Sequence, residues 1–123
     1  MRTIKSITDL NIPHDYQLYI LEYLKNLSHV PYISRVILFG SCAQGEANET
    51  SDVDILAVGD GLGDETLFDL YDCEWFPGRE DKENFVNSDV FVNDRAFYDK
   101  QKHVIGSFQW CVDRDGVNLN GLL

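Results

Sequence analysis

The stretch LFGSCAQGEANETSDVDILAV, residues 38–58, carries the strongest fold signal in this chain. Residues 35–39 form a short apolar run rich in branched side chains, and residues 52–58 form a second one. Runs of this kind are typical of strands. Between them, residues 41–47 can form a short helix and residues 48–51 a polar turn. The segment therefore predicts two strands joined by a short helix and a turn.

Two acids mark the second predicted strand. Asp52 and Asp54 are two residues apart, so their side chains point to the same face. Two carboxylates this close repel each other unless a positive charge lies between them. Mg²⁺ typically binds one or two carboxylates together with substrate phosphates. The pair therefore predicts a magnesium site.

Gly40 and Ser41 predict a turn that binds phosphate. A glycine before a helix lets another group approach the backbone closely. The start of the helix presents free N–H groups and a partial positive charge, and the Ser41 hydroxyl can donate to a phosphate oxygen. Ten residues separate Ser41 from Asp52, so the cradle and the acid pair together indicate a metal–triphosphate site.

Helical spacing predicts three further helices outside this segment. The first covers residues 13–26, with an apolar stripe of Tyr16, Ile20, Leu21, Leu24 and Leu27. The second covers residues 64–75, with inner residues Leu67, Leu70 and Tyr71. A closing helix covers residues 94–112, with Phe97, Val104, Phe108 and Cys111 on one side.

Two more strands and a loop complete the prediction. Residues 88–92 (SDVFV) predict a third strand, residues 117–119 a short final strand, and the charged residues 77–83 an exposed loop. Helices thus alternate with strands along the chain, which indicates an α/β or α+β protein. The length of 123 residues suits one compact domain.

The motifs resemble the signature of the DNA polymerase β-like nucleotidyltransferase superfamily, in which Gly-Ser is followed ten residues later by Asp-x-Asp. Gly45 and Ser51 also match the small bacterial members, and the tail WCVDRDGVNL resembles the last segment of the minimal nucleotidyltransferases. The resemblance covers about residues 33–119. It implies a nucleotidyltransferase fold of α/β (α+β) class over residues 1–123, with a small mixed β-sheet flanked by helices.

The resemblance also implies a role for each motif residue. The residues expected to bind the nucleoside triphosphate are Gly40, Ser41, Gly45 and Ser51. The catalytic acids and ligands of a two-metal Mg²⁺ site are Asp52, Asp54 and Asp89, where Asp89 is the third carboxylate, on the next strand. The implied reaction is attack of an acceptor hydroxyl on the α-phosphorus of a nucleoside triphosphate, with release of pyrophosphate. ATP is the expected donor.

Small stand-alone members are often the antitoxin of a bacterial toxin–antitoxin pair, and attach AMP to a tyrosine of a helical HEPN toxin. That is the leading expectation for this chain. Two alternatives stay open: a nucleotidyltransferase for small molecules such as aminoglycosides, and a nucleotide- or protein-binding module with weak catalysis. Cys42 and Gln44 favour the last slightly, because many small members carry Arg or a similar basic residue there.

The charge and cysteine content limit the partners. A net charge of −11 repels nucleic acid and is compatible with a basic protein partner, although it also serves solubility alone. A bound divalent cation can reverse the sign locally, so a nucleotide remains a suitable ligand. The three cysteines form no CxxC pair, which argues against a zinc site. With no signal peptide or membrane span in the sequence, we expect a cytoplasmic protein.

Overall fold

A computed structural model describes residues 1–48, 50–77 and 86–123. The strands in these residues are β1 (Arg2–Thr3), β2 (Ile33–Phe39), β3 (Val53–Gly59), β4 (Ser88–Asp94) and β5 (Val117–Asn118). The helices are α1 (His14–Leu27), α2 (Ser41–Gln44), α3 (Thr66–Asp72), α4 (Arg95–Gln101) and α5 (Phe108–Asp115). Short 3-10 turns occur at Ile7–Asp9 and Asn120–Leu122.

The strands form one mixed sheet in the order β1-β5-β2-β3-β4. β3 lies between β2, to which it is antiparallel, and β4, to which it is parallel. The start of β3 is therefore level with the end of β2 and with the start of β4. A small mixed sheet flanked by helices confirms the predicted fold class.

Side chains alternate between the two faces of the sheet, and the two faces are buried differently. Val53, Ile55 and Ala57 of β3 belong to the larger core, which also contains α1 and the buried Leu70 of α3. This side is termed the closed face. The other face carries Asp54, Leu56 and Val58, and its smaller core contains one residue each from α4 and α5. This side is termed the open face.

The first predicted helix is confirmed. α1 follows Pro13, which stands at the N-cap and not at the first helical position that proline favours. Four of the five predicted stripe residues are buried, whereas Leu21 is 37% exposed. Tyr19 and Tyr23 are buried in addition. The buried stripe is therefore wider than the predicted one and shifted away from Leu21.

The predicted closing helix over 94–112 is wrong, because the chain forms two helices there. Gly106 has a φ of +87°, a backbone conformation that a right-handed helix cannot contain. Ser107 then caps α5 by accepting a hydrogen bond from the Trp110 N–H at 3.0 Å. Phe97, Val104 and Phe108, which were predicted to face inward, are exposed. Tyr98, Gln109 and Val112 are buried instead.

Smaller corrections concern α2 and α3. α2 ends at Gln44 rather than near 47, because Gly45 adopts the left-handed conformation that terminates helices. α3 is shorter than predicted, and of its predicted inner residues only Leu70 is buried. β1 was not predicted. The loop predicted over 77–83 lies outside the described residues except for Pro77. No helix in the described ranges is long and apolar enough to cross a membrane.

Candidate active site

Two of the predicted acids lie side by side on the open face. Asp54 of β3 pairs in register with Asp89 of β4, and neighbouring strands are about 4.8 Å apart. The start of β4 is fixed from the other face, where the Ser88 hydroxyl hydrogen-bonds to both Tyr19 and Glu74. The sheet therefore brings together two carboxylates that are 35 positions apart in the sequence.

Asp54 is the acid most affected by its surroundings. It is half-buried at the beginning of β3. Burial raises the pKa of its carboxyl above the usual range, and the negative charges of Asp89 and then Asp52 raise it further. Each of these causes disfavours the charged carboxylate. The site thus concentrates negative charge that a cation would relieve.

Asp52 lies just before β3, which begins at Val53, and its side chain is exposed. Two hydrogen bonds hold the backbone here. The buried Cys42 thiol donates to the Asp52 carbonyl oxygen at 3.4 Å, and the Tyr16 hydroxyl donates to the Ser51 carbonyl oxygen at 2.6 Å. Cys42 therefore joins α2 to the acid segment, and burial followed by Asp54 and Asp52 raises its pKa to about 11.

Gly40 brings the end of β2 against Asp54. A Cβ at this position would lie 2.5 Å from the Oδ2 of Asp54, so any side chain there would force the Asp54 carboxylate to move. Its φ of +74° and ψ of −156° also belong to a region that only glycine adopts readily. The backbone that follows β2 and the Asp54 carboxylate of β3 therefore lie close together, as the sequence predicted.

The remaining predicted residues lie around this convergence in different settings. Ser41 is the first residue of α2, and its cap Gly40 offers no side chain to the helix start. Gly45 ends α2 with its N–H donating to the Ser41 carbonyl oxygen. The Ser51 hydroxyl accepts from the Asn48 N–H at 3.0 Å. Gly45 and Ser51 thus shape the loop between the strands, and their contact with a nucleotide stays a prediction.

The donors of the site suit a hard divalent cation. Within the described residues, no set of three or more His, Cys, Asp or Glu side chains is arranged to hold a metal ion. Mg²⁺ does not require such a cage, because it is commonly held by one or two carboxylates plus substrate phosphates. The charge at Asp54 and Asp89 and the oxygen-only donor set fit this mode. Asp54 and Asp89, which the sheet pairs in register, would hold the ion in this mode, and Asp52 as a further ligand stays a prediction.

An aromatic cluster next to the acids was not predicted. The rings of Phe39, Phe91 and Phe108 contact one another, with centroids 5.3–5.8 Å apart. Phe39 pairs in register with Asp54, and Phe91 lies two residues after Asp89 on the same face. The alternation of side chains in the strands could have placed Phe91 beside Asp89, whereas nothing in the sequence places Phe108 there.

Comparison with known proteins gives the following matches. The family model of the nucleotidyltransferase domain matches residues 19–113. A crystal structure from Sulfolobus solfataricus, provisionally described as a nucleotidyltransferase, is 26% identical over 70% of this chain and 75% of that chain, with a TM-score of 0.48. No curated protein matches the chain.

Proposed function

The chain belongs to the nucleotidyltransferase domain family, and on that basis we propose a magnesium-dependent adenylyltransferase. It transfers AMP from ATP to an acceptor hydroxyl and releases pyrophosphate. The observation that carries this proposal is the convergence of three residues at one end of the sheet: Gly40 within contact distance of Asp54, and Asp54 in register with Asp89. Nucleotidyl transfer needs a phosphate-binding backbone beside metal-binding acids.

Each residue has a chemical task in this proposal. Gly40, which has no side chain, lets a phosphate approach the backbone, and the Ser41 hydroxyl donates to an oxygen of the β- or γ-phosphate. Asp52 and Asp54 hold the cation against the triphosphate. Asp89 completes the metal site and accepts the proton of the attacking hydroxyl. When bound, Mg²⁺ supplies charge neutralisation at the α-phosphate and at the leaving pyrophosphate.

We propose a tyrosine of a helical HEPN-type toxin as the acceptor, and the cytoplasm as the compartment. Two features support this. The net charge of −11 is complementary to a basic protein and repels nucleic acid. Cys42 and Cys73 are buried free thiols, and the third cysteine, Cys111, is also unpaired, as expected in a reducing compartment.

Labelled ATP tests the reaction directly. We expect the protein, with Mg²⁺ and its acceptor, to transfer label from the α-phosphate and none from the γ-phosphate. Asp54→Asn should lower the transfer rate about 1,000-fold, because it removes a ligand charge at nearly constant volume. Asp60→Asn is the matched control, since Asp60 is an exposed acid just beyond the far end of the same strand, paired with Arg95 at 3.2 Å.

The position of the label decides among the acceptors. Label on a tyrosine of a HEPN-type protein supports the antitoxin proposal, and label on an aminoglycoside supports small-molecule modification instead. Magnesium-dependent triphosphate binding without transfer to any acceptor would indicate a binding module of the same fold. Equal transfer by wild type and Asp54→Asn would contradict the assignment of the site.

A further inference from the structure

The open face carries an aromatic surface that packing does not explain. Phe91 is 47% exposed and Phe108 is 42% exposed, although both contact Phe39. A partly buried hydrogen bond fixes the position of the helix that carries Phe108. The Gln109 side chain, which is 8% exposed, donates to the Asn93 side chain at 2.9 Å and fixes the start of α5 against β4. These three rings are termed the phenylalanine platform.

The platform lies at a defined distance from the acids. Phe91 follows Asp89 by two positions on the same face of β4, a separation of about 7 Å along a strand. Phe39 lies on β2 in the same register row as Asp54. The platform therefore begins at the row of acids and extends along the strands from it.

The geometry of nucleotidyl transfer assigns directions on this face. The attacking oxygen and the leaving pyrophosphate must lie roughly in line through the α-phosphorus. In the proposed function the pyrophosphate would lie at Gly40 and Ser41, beyond the end of β2, whereas Asp89 lies on β4. The line of attack therefore crosses the strands. The nucleoside is joined to the α-phosphorus through an oxygen that projects at a large angle to the line of attack. The nucleoside can therefore extend along the strands, and the phenylalanine platform lies in that direction.

We propose that the phenylalanine platform binds the nucleobase of the nucleoside triphosphate by stacking and edge contacts. This inference rests on the proposed function, because the acids must hold the triphosphate for the base to reach the platform. A base is planar and neutral, and its π-face suits a surface of tilted rings. A second copy of the chain is a poorer occupant, since each copy carries a net charge of −11 and would bring its acids to the contact.

Affinity measurements with and without a base test the proposal. We would measure by calorimetry the binding of ATP and of inorganic tripolyphosphate, each with Mg²⁺, to wild type and variants. Phe91→Leu keeps an apolar side chain but removes the ring, and Phe91→Tyr restores the ring. Phe68→Leu is the control, because Phe68 of α3 is a 71% exposed phenylalanine that contacts none of the platform rings. Thermal unfolding confirms that each variant folds.

We expect Phe91→Leu to weaken ATP binding about 5- to 150-fold, the range of base–aromatic stacking. Tripolyphosphate binding should stay unchanged, Phe91→Tyr should restore ATP binding, and Phe68→Leu should bind both ligands like wild type. Equal ATP affinity in wild type and Phe91→Leu would overturn the proposal. This holds even if the variant raises KM for the acceptor, because such an effect would place the acceptor, and not the base, on the platform. A wild-type dimer that Phe91→Leu converts to monomers would also overturn it.

The failure of the proposed function is distinguishable from these outcomes. Wild-type protein that binds neither ATP nor tripolyphosphate in the presence of Mg²⁺ would show that the acids and Gly40 hold no triphosphate. Wild-type protein that binds both ligands equally well would leave the triphosphate site intact and overturn only the platform.

Discussion

The closed and open faces of the sheet share the same strands but carry different properties. On β3, the residues that face α1 are fully buried and apolar, whereas the alternate residues begin with the half-buried Asp54. One strand thus supplies the core with Ile55 and the site with Asp54, its immediate neighbour. Stability and chemistry can therefore be separated by a single position, because successive side chains of a strand point to opposite faces.

Substitution of Asp54 should produce the largest effect on the open face. Asp54→Asn is expected to lower the rate of nucleotidyl transfer about 1,000-fold, since charge stabilisation in such sites has this magnitude. Its melting temperature should stay equal to that of wild type or rise, because the charge it removes is one that burial and Asp89 disfavour. Transfer rates and thermal unfolding measure both. A variant that loses stability along with activity would contradict the separation of the faces.

Substitution of Ile55, one residue further along β3, should have the reverse effect on the closed face. Ile55 is completely buried, and Ile55→Ala should lower the free energy of unfolding by about 2–5 kcal/mol through lost contacts and a cavity. Denaturant unfolding measures the loss, with Ile55→Val as a milder control of about 1 kcal/mol. The transfer rate per folded molecule should remain within a few-fold of wild type at low temperature. A large loss of transfer rate in the folded variant would contradict the separation of stability and chemistry between the two faces.

Substitution of Gly40 tests the contact between β2 and the acid. Gly40→Ala forces a Cβ to within 2.5 Å of the Asp54 carboxylate at a φ of +74°. We expect about 1–3 kcal/mol of destabilisation from backbone strain, together with a loss of triphosphate affinity as Asp54 moves.

Gly61→Ala is the matched control for Gly40→Ala. Gly61 also has a positive φ, of +63°, but nothing lies within 4 Å of its Cβ position. The control should show the strain without the loss of affinity. Equal affinities in the two variants would show that Gly40 has no special relation to the site.

The pH dependence of metal-free stability should show the smallest effect. The folded-state pKa of Asp54 is raised, so its contribution is fully present below the unfolded pKa and is lost as the pH rises through the folded value. Without metal, wild type should therefore lose stability relative to Asp54→Asn as the pH rises from the carboxylate range to neutrality. Melting curves from pH 4 to 8 in the presence of a chelator measure it. Mg²⁺ at neutral pH should raise the melting temperature of wild type more than that of Asp54→Asn.

The segment 38–58 was predictable because its signals are local. Branched apolar runs define β2 and β3, and Gly40 ends β2 through its own backbone conformation. The two-residue alternation of a strand predicts that Asp52 and Asp54 share a face, but Asp52 lies just before β3, so this part stays a prediction. Within this segment only the boundaries of the elements were predicted inaccurately. β3 begins one residue later than predicted, and α2 ends before the left-handed Gly45.

Residues 94–115 were poorly predicted because their pattern is misleading. Phe97, Val104 and Phe108 recur at helical spacing and suggested a buried stripe, yet they are exposed. The chain instead breaks at Gly106 and buries Tyr98 and Val112 against β2 and β3. Helical spacing predicts that apolar residues share one face of a helix, but it does not predict whether another part of the protein buries that face.

Local sequence patterns were sufficient for the class of the fold, the family, and the two motifs that meet at the site, because strand alternation and glycine conformation depend on neighbouring residues. Tertiary packing was needed to bring Asp89 into register with Asp54, to tie α2 to the acid segment through Cys42, and to complete the phenylalanine platform with Phe108. These relations join residues that are distant in sequence, and the strand pairing and helix packing of the whole chain fix them.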